Sequence, residues 1–297
     1  MMVTSQFTSE SELRKALLDE VVRAVGLPVC DFWRKLVELT LWVPLTRFSR
    51  FGSHVDELVF KHGFSKAIDL GLKMLVEDIR VLTEVNVPTT GPLLVVSNHP
   101  GTYDALCLAA KLPRDDVKIV SSNIPFLKKL KNVNQHFLFG SVDSYVRMLV
   151  IRNAIRHLEK GGVVIIFPSG HMDPDPSCMP GAVEALDEWL KSIEIFIKKV
   201  PETVVQVAIV SHVLNPRYLS SPITKVRKGR RERQRIAEFI QVLKQMVNKR
   251  KFNQIPQVSF APPFSLSDIS LEGDLSPLLP HCIKNAKTLI KNHLPQE

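Results

Sequence analysis

Residues 92–104 read PLLVVSNHPGTYD: an apolar run, then Asn98 and His99, a Pro100-Gly101 turn, and Asp104 at the head of a second apolar stretch. This reads as a buried strand delivering a histidine to a turn, with a carboxylate on the first turn of the next helix. Five residues separate His99 from Asp104, but the turn reverses the chain, so the two side chains can meet. A neutral imidazole there would have one nitrogen held by the carboxylate and the other free to take a proton, which is a general base with its orienter. No serine or cysteine stands in a G-x-S-x-G elbow, so the attacking hydroxyl is expected from a substrate. The competing reading is a histidine that merely caps the helix starting near Thr102.

Downstream of this stretch, short apolar runs alternate with helical ones. Strands are expected over 93–96, 117–120, 137–139, 163–167, 204–210 and 258–260; helices over 104–112, 124–131, 145–160, 183–199, 230–247 and 281–293. Such alternation indicates an α/β fold, with a mainly parallel central sheet flanked by helices. Ligands of such sheets collect at the carboxyl ends of the strands, where both His99 and the turn after 163–167 fall.

Upstream, residues 9–86 read as helical with no strand signal. Leu13, Leu17, Leu18, Val21, Val22 and Val25 keep helical spacing after a serine cap at 9 or 11, and Gly26-Leu27-Pro28 stops the run, while residues 1–8 look like a loose end. A second helix over 31–43 is expected to end at Pro44, and one or two more to occupy 54–85. The division is an all-helical N-terminal region, 1–88, and an α/β domain, 89–297. Around the second helix Phe32, Trp33, Trp42, Phe48 and Phe51 interleave with Arg34, Lys35, Arg47 and Arg50. That mixture suits a membrane-surface patch, or else the packed face of a helical domain.

Composition bounds the rest. The 297 residues, 45% hydrophobic, can bury a large core. Four cysteines without C-x-x-C pairing suggest a reducing compartment and neither a disulfide framework nor a zinc knuckle. No apolar run approaches the roughly 20 residues of a membrane span, and no signal peptide is evident. The formal charge of +9 is concentrated: residues 225–251 hold eleven basic residues against Glu232 and Glu238, and the rest of the chain balances. This segment could meet anionic lipid, an acidic carrier or cofactor, or nucleic acid. With only Phe239 and Phe252 nearby for stacking, nucleic acid is not expected.

The second motif lies past the strand at 163–167. Phe167-Pro168-Ser169-Gly170 turns the chain and can present backbone N–H groups to an oxygen, and the proline-broken His171-Met172-Asp173-Pro174-Asp175-Pro176 follows. Together with Asn98-His99 and Asp104, this resembles the glycerophospholipid acyltransferase superfamily, whose members carry N-H-x4-D and, some sixty to seventy residues later, F-P-E-G-T-R. Phe139-Gly140-Ser141-Val142-Asp143, with the helix bearing Arg147 and Arg152, looks like its middle motif, and Val205-Gln206-Val207-Ala208-Ile209 like its V-P-V-A-I, with Gln206 for proline. The third motif is most similar to the P-S-G-G-R-D-R-P-D-P of the soluble plastid-type glycerol-3-phosphate acyltransferases, which also carry a helical domain first. The likeness covers about residues 90–216. It departs at the third motif's arginines, where this chain has Met172 and a deletion, so a bidentate phosphate contact is lost there.

The resemblance implies an O-acyltransferase with His99 as general base oriented by Asp104. The donor would be acyl-CoA or acyl carrier protein, and the acceptor glycerol 3-phosphate or a related lysophospholipid. Substrate-contacting candidates are Asn98, Gly101, Pro168, Ser169, Gly170 and His171, with Lys128, Lys129, Lys131, Arg147 and again His171 as substitutes for the missing arginine. Backbone N–H groups around Gly101 or Gly170 would serve the oxyanion. No metal or bound cofactor is implied, and the location expected is cytoplasmic or stroma-like, with peripheral contact to an anionic membrane. Two other readings stand beside it: a binding protein that kept the fold without the reaction, and a metal-dependent hydrolase using His171, Asp173, Asp175 and His99.

Overall fold

The computed structural model describes residues 7–24, 28–101, 103–248, 251, 255–270 and 274–295. Most of the loose end expected at 1–8, the stop at Gly26-Leu27, and the basic Lys249 and Arg250 lie outside the described residues. Helices α1 (Glu10–Ala24), α2 (Asp31–His62) and α3 (Phe64–Leu75) come first. Contrary to expectation, α2 runs through Pro44 and bends instead of ending, with Leu41 at φ −114°, ψ 18°. Proline lacks the N–H for the carbonyl four residues back and its ring crowds that carbonyl, so the helix yields just ahead of it. The Thr40 hydroxyl meanwhile bonds back to the carbonyls of Leu36 and Val37 (2.9 and 3.2 Å). The true stop is Gly63, at φ +81°, where a Cβ would come within 2.5 Å of an Asp115 carboxylate oxygen.

A two-residue strand, β1 (Arg80–Val81), corrects the expectation of an all-helical region up to residue 86. Alternation follows: β2 (Leu93–Ser97), α4 (Asp104–Lys111), β3 (Val117–Ser122), α5 (Pro125–Lys129), β4 (Phe137–Gly140), α6 (Ser144–Glu159), β5 (Val163–Ile166), α7 (Ser192–Lys199), β6 (Val204–Ser211), α8 (Pro216–Leu219), α9 (Arg230–Asn248), β7 (Gln257–Phe260) and α10 (Leu278–Ile290). The helix expected over 183–199 is broken into a 3-10 turn, Glu184–Glu188, and α7. Between them Trp189 turns extended, which puts its large ring into the core.

The strands form one sheet in the order β1-β7-β6-β2-β5-β3-β4. Every pairing is parallel except β6 with β7. From β2 the chain continues toward β3, and from β5 it crosses to β6 on the other side of β2. Adjacent strands whose connections leave in opposite directions open a crevice at their carboxyl ends, and this one lies between β2 and β5.

Both faces of the sheet are covered. Leu93 and Val95 join one apolar cluster with residues of α1, α3 and α4; Leu94 and Val96 join another with α6, α7 and α10. Each of these four strand residues is fully buried, and contributes about 1.5–3 kcal/mol by leaving water. The N-terminal helices therefore share a core with the sheet, and α1 and α2 add a smaller cluster of their own around Leu18, Val21, Val22, Val37 and Leu45. Of the aromatic residues on α2, Trp33, Phe48 and Phe51 pack inward, whereas Phe32 and Trp42 are exposed together with Leu36, Leu39 and Val43.

Candidate active site

At the end of β2 the side chain of Asn98 takes over from the strand ladder. Its amide accepts from Val210 N (2.8 Å) and donates to Val210 O (2.9 Å) on β6. Anchored in this way, Asn98 aims the next residue into the crevice. His99 Nδ1 lies 2.7 Å from Asp104 Oδ2, and that oxygen also accepts the Gly101 N–H at 3.0 Å. The carboxylate is sealed from water at 1% exposure, while the imidazole remains 32% exposed. Phe167, at the end of β5, stacks on the imidazole ring with centroids 4.6 Å apart. With Nδ1 engaged, Nε2 is the nitrogen left to face a substrate. Burial pushes the His99 pKa down, but the charge and hydrogen bond of Asp104, helped by Glu238 and Asp173, lift it to about 9.

The loop after β5 is stitched to this turn. His99 N donates to Asp173 Oδ2 and Asp173 N donates to His99 O, both at 2.8 Å. Ser169 Oγ, buried, lies 2.8 Å from the His171 carbonyl and 3.2 Å from Asp173 Oδ2. Asp173 Oδ1 is buried without a hydrogen-bond partner, and burial raises the pKa of this carboxyl. Asp175 is occupied: it accepts the N–H groups of Ser177, His212, Val213 and Leu214 at 2.9–3.0 Å. His212 makes this possible by taking φ +59°. A carboxylate spent on four backbone donors is a loop anchor and not a metal ligand, and among the described residues no group of three or more His, Cys, Asp or Glu side chains could hold a metal ion.

Helix α9 closes the site from above the turn. Gln234 donates to Pro100 O (2.7 Å) and to Asp173 O (2.8 Å). Glu238, one turn on, backs Gly101 so closely that a Cβ there would come 2.1 Å from Glu238 Oε1. Arg230 reaches the Met172 carbonyl (3.3 Å), and Arg231 Nη2 lies 2.7 Å from His171 Nε2 and 3.1 Å from Glu188 Oε2. Glu188 Oε2 also approaches His171 Nε2, at 2.9 Å, so the imidazole, Arg231 and Glu188 form one cluster at the rim.

The expected substrate contacts thus divide. His171 stands half-exposed at the rim, and Gly170, exposed at φ +69°, makes the turn beside it. Asn98, Pro168 and Ser169 are buried and serve the loops themselves. The N–H groups proposed for the oxyanion are both used within the chain, Gly101 on Asp104 and Gly170 on the Phe167 carbonyl (3.0 Å). Lys128 and Lys129 are exposed on α5 beyond β3, two strands from β2, with Lys128 over the Phe139 ring; Arg147 is exposed on α6. In their place the fold brings Arg230 and Arg231 to the third motif from about sixty residues downstream. The same folding gives Phe167 and Asp173, quoted from the second motif, direct contacts with the His99 turn, and adds Gln234 and Glu238, neither of which was expected at the site. The available signal for the last two was the 3–4 spacing of Gln234, Glu238, Gln241 and Gln245 along one helix.

Comparison with known proteins bears on the same span. The comparison with curated proteins yields no match. Among solved structures, the fold is similar to the 1-acyl-sn-glycerophosphate (LPA) acyltransferase PlsC from Thermotoga maritima, at 16% identity and TM-score 0.46, covering 96% of this chain and 98% of that one. Residues 78–214 match the model of the Acyltransferase family. This segment, which carries both strand ends of the site, is thus similar in sequence to the Acyltransferase family.

Proposed function

We propose that the protein is an O-acyltransferase that moves a fatty acyl group from a thioester donor, acyl-CoA or acyl carrier protein, to a hydroxyl of a glycerophosphate-type acceptor. The observation that carries this reading is the buried Asp104 carboxylate 2.7 Å from Nδ1 of a partly exposed His99. His99 Nε2 takes the acceptor's proton as its oxygen attacks the thioester carbonyl. Asp104 holds the ring and stabilises the imidazolium that forms, and collapse of the tetrahedral intermediate expels the thiolate, which takes the proton back from Nε2. Base and acid catalysis by such a histidine is worth roughly 10²–10⁴-fold.

The acceptor's phosphate is assigned to the rim formed by His171 with the cations Arg230 and Arg231, where the family's third-motif arginine has been replaced by Met172. Arg231 is half-exposed and held by Glu188, so a phosphate would displace or share that partner. The plastid-type likeness of the third motif supports glycerol 3-phosphate; a lysophospholipid presents the same headgroup chemistry. We further assign Phe32, Leu36, Leu39, Trp42 and Val43, exposed on α2, to contact with a lipid surface. Among the described residues no helix is long and apolar enough to cross a membrane.

The deciding assay follows free thiol released from palmitoyl-CoA and, in parallel, from palmitoyl carrier protein, with glycerol 3-phosphate, lysophosphatidate and a non-phosphorylated alcohol as acceptors. Acceptor-dependent release should fall by about 10²-fold or more in His99→Ala. Release that persists in the variant would overturn the mechanism, and a flat result with every pair would favour a binding protein built on this fold.

A further inference from the structure

The segment similar to the acyltransferase family stops at residue 214, and α9 lies beyond it. Yet α9 presents to the interior a row of polar side chains, Gln234, Glu238, Gln241 and Gln245, all buried. Burying an amide is unfavourable unless its hydrogen bonds are made. Here each glutamine is satisfied by main chain or by a neighbouring side chain. Gln241 donates to Val213 O (2.9 Å) and accepts from Asn215 N (3.0 Å); Gln245 donates to Leu75 O (3.0 Å) and accepts from Tyr103 OH (2.7 Å).

Gln234 differs from both in what it joins. Its two N–H bonds go to carbonyls of two separate loops, Pro100 O next to His99 and Asp173 O beyond β5, while its oxygen accepts from Arg230 Nη1 (3.2 Å). The two loops are the two lips of the crevice. A single fully buried amide therefore sets their separation, alongside the paired His99–Asp173 backbone contacts.

We propose that Gln234 is a positioning residue for the acyl transfer: its amide clamps the His99 turn to the Asp173 loop and so keeps the imidazole on Asp104 and stacked against Phe167. The proposal rests on the acyltransferase reading given above. It predicts that loss of the clamp disturbs the chemical step more than donor binding, because a misplaced base costs rate even where the substrate still binds.

The test compares Gln234→Met, which keeps the length and loses the donors, with Gln241→Met, an equally buried amide that joins no residue of the His99 turn. Acceptor-dependent thiol release is measured alongside thermal unfolding, and the His99 titration is followed by NMR on histidine-labelled protein. In Gln234→Met, kcat should fall by about tenfold or more with the donor KM within about twofold, and the His99 midpoint should move down toward its ordinary value as the contact with Asp104 loosens. Gln241→Met should lose a similar amount of thermal stability but keep both kcat and the midpoint. Equal effects of the two variants on kcat and on the midpoint would overturn the proposal, as would an unmoved midpoint in Gln234→Met. Should Gln234→Met not fold, Gln234→Asn, whose shorter amide reaches only one of the two carbonyls, is read by the same criteria. If the wild-type protein transfers no acyl group, the functional reading fails, and the His99 midpoint still decides whether the clamp exists.

Discussion

His99 carries a proton more firmly than an ordinary imidazole, and this has a kinetic consequence. A general base works only when neutral, so kcat/KM of the wild-type protein should rise with pH with its midpoint near 9, the value to which Asp104, Glu238 and Asp173 together lift it, and level off above that. Glu238→Gln removes one of those charges, and the midpoint of the pH–rate profile should move to lower pH; an unchanged midpoint would mean that Glu238 does not reach the ring electrostatically. Asp104→Asn removes the dominant charge and leaves an amide whose N–H₂ or oxygen would face Nδ1. The expected result is a loss of about 10²–10⁴-fold in kcat, with the profile shifted further down than in Glu238→Gln.

Helix α9 shows how one element can carry the charged surface its sequence suggests and a buried polar face besides. Its basic residues Arg231, Arg233, Arg235 and Lys244 are exposed, as the charge of the segment suggests. The other face is polar and buried, and its glutamines bond to the carbonyls of the site loops. Arg47 of α2 ties down the far end of the helix, its Nη1 donating to Met246 O (2.7 Å) and Val247 O (2.6 Å) among the carbonyls that helix termini leave unpaired. Arg47→Ala should therefore cost about 1.5–3 kcal/mol in chemical denaturation, the range for hydrogen bonds to a charged group. A change within error would mean that α9 is held by its glutamine face alone.

Across the whole molecule, two histidines, one fully buried and one partly exposed, give stability opposite dependences on pH. His293, fully buried, has Nδ1 2.7 Å from Ser211 Oγ and Nε2 2.8 Å from Ser259 Oγ, and burial lowers its pKa to about 4. Its contribution is full above the unfolded value of about 6.5 and is lost as pH falls toward 4. His99 has the opposite sign: its contribution is full below about 6.5 and disappears as pH rises through about 9. Thermal melts of His293→Gln should converge on wild type toward pH 4, and those of His99→Gln should converge on wild type toward pH 9. At the same scale, the exposed apolar row on α2 predicts that Phe32→Glu with Leu39→Glu abolishes flotation with anionic liposomes and leaves the melting temperature unchanged.

The linear chain by itself determined the α/β class, the six main strands and the meeting of His99 with Asp104. These depend on local apolar periodicity and on a turn that spans only five residues. It also carried the loop after β5 through the Pro168-Ser169-Gly170 turn. It could not reveal that Pro44 only bends α2, because whether a proline ends a helix depends on what packs beyond it. Nor could it reveal β1, since a two-residue strand has no periodicity and exists only through its partner on β7. The polar face of α9 was illegible for a related reason: a glutamine reads as solvent-facing until the carbonyls that satisfy it are brought to it. Only the tertiary structure placed Gln234 and Glu238 against the turn of a histidine more than 130 residues away in the chain, and Arg230 at the Met172 carbonyl, because the contacts of Gln234 and Arg230 are made to loop backbone, which carries no side-chain signature.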